Sequence, residues 1–234
     1  MKNATIQIKV KQRINKLASN DYDNIATWQI IEAFNKGQVA WCRRNLLGTN
    51  MTKTGDEGSK RRIDDLQILL TDSLLQMVKK DKYFTSPGLP KNYFEWKSLS
   101  SKANSKCCPD ERSLMIYLAE EANIDQLLRD YNKKPSFEWA ETFCTMANNK
   151  IKVFTNNEFD LVKTTLTYYR QPRRIEIIGV SDPYTGLVST AEVECEFKDD
   201  LVELFIDECV KILAGDLEDV TANQIADNSV ETNN

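Results

Sequence analysis

Carboxylates, arginines and cysteines are the groups with which this sequence could do chemistry, because it contains no histidine. The lack of histidine excludes Ser-His and Cys-His nucleophile pairs and the commonest general base near neutral pH. Two acidic doublets, Asp64-Asp65 and Asp199-Asp200, remain as candidates for a carboxylate metal site. Each lies at or near a predicted helix start, where acids complement the helix dipole. We interpret them as helix-start residues, assign no catalytic residue, metal or cofactor, and predict that the protein is not an enzyme.

The segment RQPRRI places three arginines, Arg170, Arg173 and Arg174, around a proline. Such a group can hold a phosphate or a carboxylate through paired hydrogen bonds. The alternating segment AEVECEF supplies a row of acids on one side of a predicted strand, namely Glu192, Glu194 and Glu196. We favour salt bridges between the arginines and this row, because the acids lie in the next strand-like segments.

Two further basic clusters, Arg43-Arg44 and Lys60-Arg61-Arg62, flank a polar loop between two predicted helices. Antiparallel packing of these helices would bring both clusters to one end, where they could touch DNA or an acidic partner. Cations at the end of the first helix fit its dipole, but cations at the start of the second do not. Because the second cluster does not fit the helix dipole, a functional basic surface remains an alternative to the dipole interpretation.

The six cysteines include no C-x-x-C pair, so the spacing typical of a zinc site is absent. Four of them, Cys42, Cys144, Cys195 and Cys209, lie in apolar patterns, where a reduced cysteine behaves as a small hydrophobic residue. The adjacent pair Cys107-Cys108 does not. We predict reduced thiols in an intracellular setting, with a disulfide or metal role for the adjacent pair as the alternative.

The composition is typical of a globular chain: 41% of the 234 residues are hydrophobic and 28% are charged. The net charge of −4 argues against a dedicated nucleic-acid-binding protein. No apolar run is long enough to span a membrane, and the first sixteen residues contain no long apolar region. We expect no transmembrane helix, no signal peptide and no membrane contact.

The stretch NDYDNIATWQIIEAFNKGQVAWCRR (20–44) predicts a helix that is apolar on two faces and ends near Leu47-Gly48. One arc holds Ala26, Ile30, Ala33, Phe34, Gly37, Ala40 and Trp41, and the opposite arc holds Ile25, Trp28, Ile31, Val39, Cys42 and Leu46. Two apolar faces require two neighbours. One is the core of the protein, and the other is either a second layer of the same domain or another subunit.

Helices are also expected on either side of this stretch. Residues 5–18 fit a helix better than a strand, because Gln, Lys and Arg fill the gaps between the apolar positions. Ser59 is expected to cap a further helix that packs antiparallel to the first. Its apolar stripe is Ile63, Leu66, Leu70, Leu74 and Met77.

The middle of the chain reads mainly as strands. We predict strands at 93–101, 114–118, 160–170, 175–180 and 191–197, and a short helix in NIDQLLRDY (123–131). The segment 143–155 is a predicted hairpin that turns at Asn148-Asn149, because Asn tolerates left-handed turn positions.

The order of elements predicts an α+β fold: an N-terminal helical hairpin or bundle, a mainly antiparallel sheet insertion, a C-terminal helix and a polar tail. The predicted regions are a helical bundle over 1–85, a β-rich region with a short helix over 86–198, a C-terminal helix over 199–217 packing back on the bundle, and a flexible tail or assembly arm over 218–234.

The two ends of the chain are oppositely charged. Residues 1–20 contain five basic residues and no acid, whereas no basic residue follows Lys211. Each end alone has little apolar surface to offset the entropy of ordering. We predict that one or both ends order only on assembly against a neighbouring chain.

Large aromatic and basic side chains form the candidate interface, since such residues anchor protein contacts. The candidate subunit or partner contacts are Trp28, Phe34, Trp41, Arg43, Arg44, Arg61, Arg62, Arg170, Arg173 and Arg174.

Several long segments also resemble a structural protein of crAss-like phages of gut Bacteroidetes. They are NDYDNIATWQIIEAFNKGQVAWCRRNLLG, GDEGSKRRIDDLQILL, EEANIDQLLRD and KPSFEWAETFCTMANNKIKVFTNNEFDLVKTTLTYYRQPRRI, which occur in order over nearly the whole chain. The resemblance implies a ring, or adaptor, protein of the head-to-tail connector. Such a protein forms a twelve-fold ring below the portal, surrounds the DNA channel and links the portal to the tail.

The resemblance further implies a homo-oligomer in the virion, assembled in the host cytoplasm. The implied partners are the portal protein, adjacent ring or tail proteins, and packaged double-stranded DNA in transient non-specific contact. In such a ring the acids Glu192, Glu194 and Glu196 would face the lumen and keep DNA sliding, because affinity for DNA comes largely from neutralising its phosphates. The alternative is a small phage accessory protein, either nucleic-acid-binding or a carboxylate-dependent divalent-metal enzyme.

Overall fold

The computed structural model describes residues 1–17, 25–46, 65–105, 108–181, 183 and 186–216. The chain divides into two compact units. The first unit comprises Met1–Leu69 and Pro172–Asn234, and the second comprises Leu70–Gln171. The predictions made for Ser59, Arg61, Arg62, Cys107 and the tail 218–234 lie outside the described residues.

Helices belong mainly to the first unit and strands to the second. The helices are α1 (Asn3–Leu17), α2 (Thr27–Leu46), α3 (Ile124–Arg129) and α4 (Asp199–Asp216). The strands are β1 (Leu70–Leu75), β2 (Val78–Lys79), β3 (Tyr83–Thr85), β4 (Tyr93–Ser105), β5 (Cys108–Leu118), β6 (Glu141–Ala147), β7 (Lys150–Phe154) and β8 (Asp160–Arg170). The predicted α+β class, with helices first, then a mainly antiparallel sheet and a last helix, is confirmed.

In the first unit, α1 packs on α4 and touches α2. Its buried residues Ile6, Val10 and Ile14 are four apart and therefore share one helix face. Lys9 and Arg13 form ion pairs with acids of α4. The prediction that this basic end lacks the apolar surface to order within its own chain is therefore wrong, because the stripe meets an apolar face of α4.

The helix expected after Ser59 does not extend to Met77: within the described residues only Asp65 and Leu66 are helical. Residues 67–69 form a 3₁₀ turn, and the next six residues form β1, which pairs with β8 from Leu70↔Tyr169 to Leu75↔Thr164. The apolar residues Leu66, Leu70 and Leu74 lie four apart, a spacing that puts side chains on one face of a helix and also on one face of a strand. Pairing with β8 decides between the two, and Leu70 and Leu74 end on the exposed side.

The second unit is one curled sheet of eight strands in the order β1-β8-β4-β5-β6-β7-β3-β2. All neighbours are antiparallel except β5 and β6. A parallel pair needs a crossover, and α3 lies in that connection. The predicted hairpin between β6 and β7 is confirmed: Asn148 and Asn149 have φ of 52° and 59°, as a two-residue type I′ turn requires.

One cluster of buried apolar residues forms a core in the second unit. It contains Leu75, Leu99, Ala103, Leu114, Ile116, Cys144, Ile151, Val153, Phe159, Leu166 and Tyr168. On the central strands these residues alternate with polar ones, for example Ser98, Ser100 and Lys102 on β4. This period of two is the signal that identified the central strands in the sequence.

The predicted strands at 175–180 and 191–197 are not regular strands. The two segments share only an isolated bridge, Glu176↔Val193, and a second bridge joins Ser181 and Val188. The Asn35 side chain of α2 binds the backbone of Ile175, as described below. The predicted regions 1–85 and 86–198 are accordingly wrong in their boundaries, because strands begin at Leu70 and the chain returns to the first unit at Pro172.

No helix in the described ranges is long and apolar enough to cross a membrane.

Candidate subunit interface

The first apolar arc of α2 is core at Ile30, Ala33, Phe34, Gly37 and Trp41, whereas Ala40 is exposed. Phe34 and Trp41 are buried, and both rings meet Phe205 of α4 edge-on, with centroids 6.1 Å and 5.4 Å away. The helices approach closely at Gly37, where an added Cβ would lie 3.0 Å from the Cβ of Glu208. Two predicted interface residues, Phe34 and Trp41, are therefore core residues, because the apolar stripe of α4 covers them.

The second arc of α2 is partly covered by the chain that follows the sheet. The Asn35 side chain accepts a hydrogen bond from the Ile175 amide (2.9 Å) and donates one to the Ile175 carbonyl (3.3 Å). One turn later, Gln38 donates to the Arg173 carbonyl (2.9 Å) and accepts from the Cys195 thiol (3.5 Å). These amides fix an extended segment on the helix without a β-ladder. Over this half of α2 the second neighbour is a layer of the same unit.

The other half of this arc borders an open groove of about 590 Å³, called the α2 groove below. Its apolar lining consists of Trp28, Ile31, Ile175, Val180, Pro183, Leu187 and Val188. Its uncharged polar lining consists of Asn35, Ser181, Ser189 and Thr190. Its charged lining consists of Glu32, Arg174 and Glu176. Trp28 and Arg174, two of the predicted interface residues, are 146 positions apart in the sequence. The fold brings both of them to this groove. Among the described residues, one predicted aromatic contact and one predicted basic contact therefore meet at the groove.

Sequence reasoning missed the far wall of the groove. Leu187 and Val188 are 72% and 54% exposed, large values for apolar side chains. They follow the segment DPYTG, which lies between two predicted strands. Exposed apolar groups on a groove wall indicate a contact surface. No local pattern shows that these residues stay exposed, because exposure depends on what packs over them.

The arginines of RQPRRI do not converge. Arg170 ends β8 in the second unit, whereas Arg173 and Arg174 belong to the first unit. The Arg173 backbone amide donates to the Glu196 carboxylate (2.9 Å), and its Nε lies 3.6 Å from that carboxylate. One salt bridge of the expected kind is therefore present, while Arg174 is exposed at the groove.

The acids of the predicted row have different partners. Glu192 accepts a hydrogen bond from the Asn3 side chain (2.9 Å), Glu196 is paired with Arg173, and Glu194 is exposed. The segment keeps the predicted alternation, since Cys195 and Phe197 are buried whereas Glu192 and Glu194 are exposed. A lumen-facing role of these acids stays a prediction.

One arginine of the basic cluster at the end of α2 forms an ion pair within the first unit. Arg44 lies 2.6 Å from the carboxylate of Glu208, which is almost fully buried. A buried carboxylate requires such a partner, so Arg44 stabilises the contact between α2 and α4. Arg43 is exposed in the last helical turn. The second cluster, with Arg61 and Arg62, is outside the described residues, and the expected convergence of the two clusters has no support from the fold.

The acidic doublets do not assemble into a metal-ligand set in the described ranges, where no group of three or more suitable side chains occurs. Asp199 and Asp200 lie in the first turn of α4, as the dipole interpretation predicts. Asp65 is buried, with its carboxylate 3.9 Å from the Lys198 ammonium.

Four cysteines are buried free thiols: Cys42, Cys144, Cys195 and Cys209. Burial raises the pKa of the Cys144 thiol to about 12. Burial also raises the pKa of Cys42 and Cys209, and for Cys42 the neighbouring Cys195 and Glu196 add to the effect. These thiols stay protonated near neutral pH and behave as small apolar groups, in agreement with the sequence-based interpretation.

No protein-family model matches the chain, and no curated protein matches it.

Proposed function

We propose that the chain is a virion structural protein: a subunit of a ring, twelve-fold as the resemblance implies, in the head-to-tail connector of a tailed phage, below the portal. The α2 groove carries the proposal. It is an open groove with a mixed apolar and polar lining on a helix whose other face is buried in the core, and it contains the predicted contacts Trp28 and Arg174. A groove of this kind is suited to binding another protein chain.

Ring geometry supplies a reason for such a surface. Each subunit of a ring contacts a neighbour on either side through two different patches, and such contacts close by rotation. The ordered resemblance to a connector protein of crAss-like phages, which extends through both units, supports the same assignment. The proposed partners are further copies of the chain, the portal protein and adjacent ring or tail proteins.

The proposed contact with packaged DNA is transient and non-specific. The net charge of −4 disfavours tight binding to phosphates, so DNA could pass without being held. No catalytic role is proposed, since the described thiols are held protonated by burial and Arg44 and Arg173 are engaged in ion pairs.

The test is sedimentation velocity of the purified protein alone and with the portal protein, together with gold-labelled antibody on purified particles. We expect multimers or a complex with the portal, and label at the vertex that carries the tail. A chain that stays monomeric, does not bind the portal protein and is missing from particles would overturn the proposal. Mg²⁺-dependent nuclease or ATPase activity that disappears in Asp199→Ala would favour the enzyme alternative.

A further inference from the structure

A short turn in the second unit presents a tryptophan to solvent. Residues Ser136 and Glu141 exchange two backbone hydrogen bonds, of 2.9 Å and 3.1 Å, and so close a loop of four residues. Trp139 lies in this loop and is 75% exposed. The segment 136–141 is called the Trp139 turn below. Burying an exposed tryptophan supplies more apolar area than burying any other side chain, which makes it an effective anchor for a partner.

The Trp139 turn is held rigidly. The amide of Trp139 donates to the Ser136 hydroxyl (3.3 Å), and Arg112 donates to the carbonyls of Phe137 and Glu138 at 3.4 Å and 3.1 Å. Ala140 has φ of 55°, a left-handed conformation that a residue with a Cβ adopts only when its surroundings impose it. A rigid anchor loses little conformational entropy on binding, which favours a role in recognition.

The surroundings of the turn are aromatic and cationic. Tyr131 is 80% exposed, and the Lys134 ammonium lies 4.9 Å from its ring centroid. The Arg112 guanidinium lies 5.4 Å from the ring centroid of Phe137. A shallow recess of about 410 Å³ adjoins these side chains. A matching partner would offer an apolar hollow for Trp139 and carboxylates near its rim.

The α2 groove offers apolar walls together with polar groups. Trp28, Ile31 and Leu187 lie in its lining beside Asn35, Ser181, Ser189 and Thr190, and its acids are Glu176 and Glu32, the latter 2.9 Å from the Lys36 ammonium. Its volume of about 590 Å³ falls within the range of about 300–1,000 Å³ typical of pockets that enclose a small organic ligand. An indole ring with part of its turn is a guest of that size.

We propose that the Trp139 turn of one copy docks in the α2 groove of a second copy of this chain. Trp139 enters between Trp28 and Leu187, while Arg112 and Lys134 face Glu32 and Glu176. Glu138 beside the indole is available for Arg174 at the rim. The inference rests on the proposed function and specifies the contact between subunits.

In the proposed ring the contact is heterologous, because the turn of each copy meets the groove of the next copy. Each copy offers one turn and one groove, so copies add head to tail until they close a ring or continue as a filament. This property gives the contact a distinctive signature: a copy without a working turn and a copy without a working groove can still pair once.

The test uses two full-length variants, Trp139→Ala and Leu187→Asp. Both side chains are exposed, so the folded state should be retained, which circular dichroism and urea unfolding verify. Matched controls are Met115→Ala and Ile178→Asp, which are 69% and 61% exposed and line neither the recess nor the groove. Sedimentation equilibrium over a concentration series measures self-association.

Each test variant should weaken self-association by about thirty-fold or more, the effect of losing an interface hot spot, while the controls change it by less than about three-fold. A mixture of the two test variants should form a one-to-one dimer and nothing larger. Equal effects of test and control variants, or no dimer in the mixture, would overturn the proposal. A wild-type chain that remains monomeric at every concentration would do so as well.

A photoreactive amino acid at position 139 gives a readout that does not depend on substituting the groove. With equal amounts of isotopically light and heavy protein, the expected cross-links join a light and a heavy chain and map to residues 28–35 or 174–190. Cross-links that map elsewhere between chains contradict the docking. A wild-type multimer that binds the portal but tolerates both test variants refutes this contact alone, whereas missing portal binding and missing particle association refute the proposed function.

Discussion

Trp28 and Trp41 lie on opposite arcs of α2, and replacing each by alanine should have different consequences. Trp41 is only 5% exposed, and its ring meets Phe205 of α4 at 5.4 Å and 71°. Loss of a buried tryptophan costs about 3–5 kcal/mol, since the burial is lost and a cavity is left between the helices. Trp28 is half-buried at the α2 groove, so its replacement should cost roughly 1–2 kcal/mol.

Urea unfolding followed by far-ultraviolet circular dichroism, at a concentration where the protein is monomeric, measures the difference. With a slope of about 2 kcal/mol per molar urea, Trp41→Ala should lower the midpoint by roughly 1.5–2.5 M. Hydrogen exchange should locate the loss in the first unit: peptides of α4 exchange faster, whereas peptides of β4 and β8 do not change. Trp41→Phe keeps an aromatic ring against Phe205 and should recover part of the stability.

The effects of the two alanine variants on assembly should rank in the opposite order to their effects on stability. Trp28→Ala is expected to retain a folded monomer and to weaken self-association or portal binding in sedimentation velocity, because Trp28 borders the open groove. If both alanine variants lose the same free energy of unfolding, and assembly falls only in proportion to it, the assignment of the two arcs to core and interface is refuted.

Three further predictions concern the packing of α2 and α4 and the buried polar groups. Gly37→Ala gains about 1 kcal/mol of helix propensity but places a Cβ 3.0 Å from Glu208 and 3.3 Å from the Cys209 amide, so overpacking of about 1–3 kcal/mol should leave it less stable in urea. The exposed control Ala40→Gly isolates the propensity term, and a stabilised Gly37→Ala would contradict the close contact. Asn35→Leu leaves the buried backbone of Ile175 without its partners and should cost about 2–4 kcal/mol, whereas unchanged stability would show that the amide does not hold this segment. The pKa of the Cys144 thiol is raised to about 12, so its protonated form should stabilise the fold fully below pH 9. Above pH 9 the free energy of unfolding should fall by about 1.4 kcal/mol per pH unit. Cys144→Ala should remove that slope from urea midpoints measured between pH 9 and 11, and an unaltered slope would refute the assignment.

Much of the fold could be predicted from the sequence, because local patterns carry it. The strand β8 matches its predicted range of 160–170, since Thr, Val, Leu and Tyr favour strands, and the β6–β7 hairpin turns where two asparagines accept positive φ. The long helices α2 and α4 follow from apolar stripes of helical period. In each case the signal lies within about twenty neighbouring residues.

Other features were decided by contacts between distant parts of the chain. The spacing of Leu66, Leu70 and Leu74 suits a helix and a strand equally, and pairing with β8 selects the strand. The alternation in 191–197 suits a strand, yet this segment shares only the bridge Glu176↔Val193 with 175–180 and does not form a ladder. These outcomes depend on which hydrogen-bond partner the tertiary structure places beside a backbone group, and a local pattern does not contain that information.

The candidate site shows the same division. The sequence by itself determined that α2 has two apolar arcs and that Trp28 and Trp41 lie on opposite ones, because a rotation of 100° per residue fixes the angle between them. Only the tertiary structure decided which arc is core and which borders a groove, since α4 covers one arc and the segment after the sheet leaves part of the other open. Burial depends on the complete set of neighbours, and the groove beside Trp28 is lined in part by Arg174, Leu187 and Val188, far along the chain.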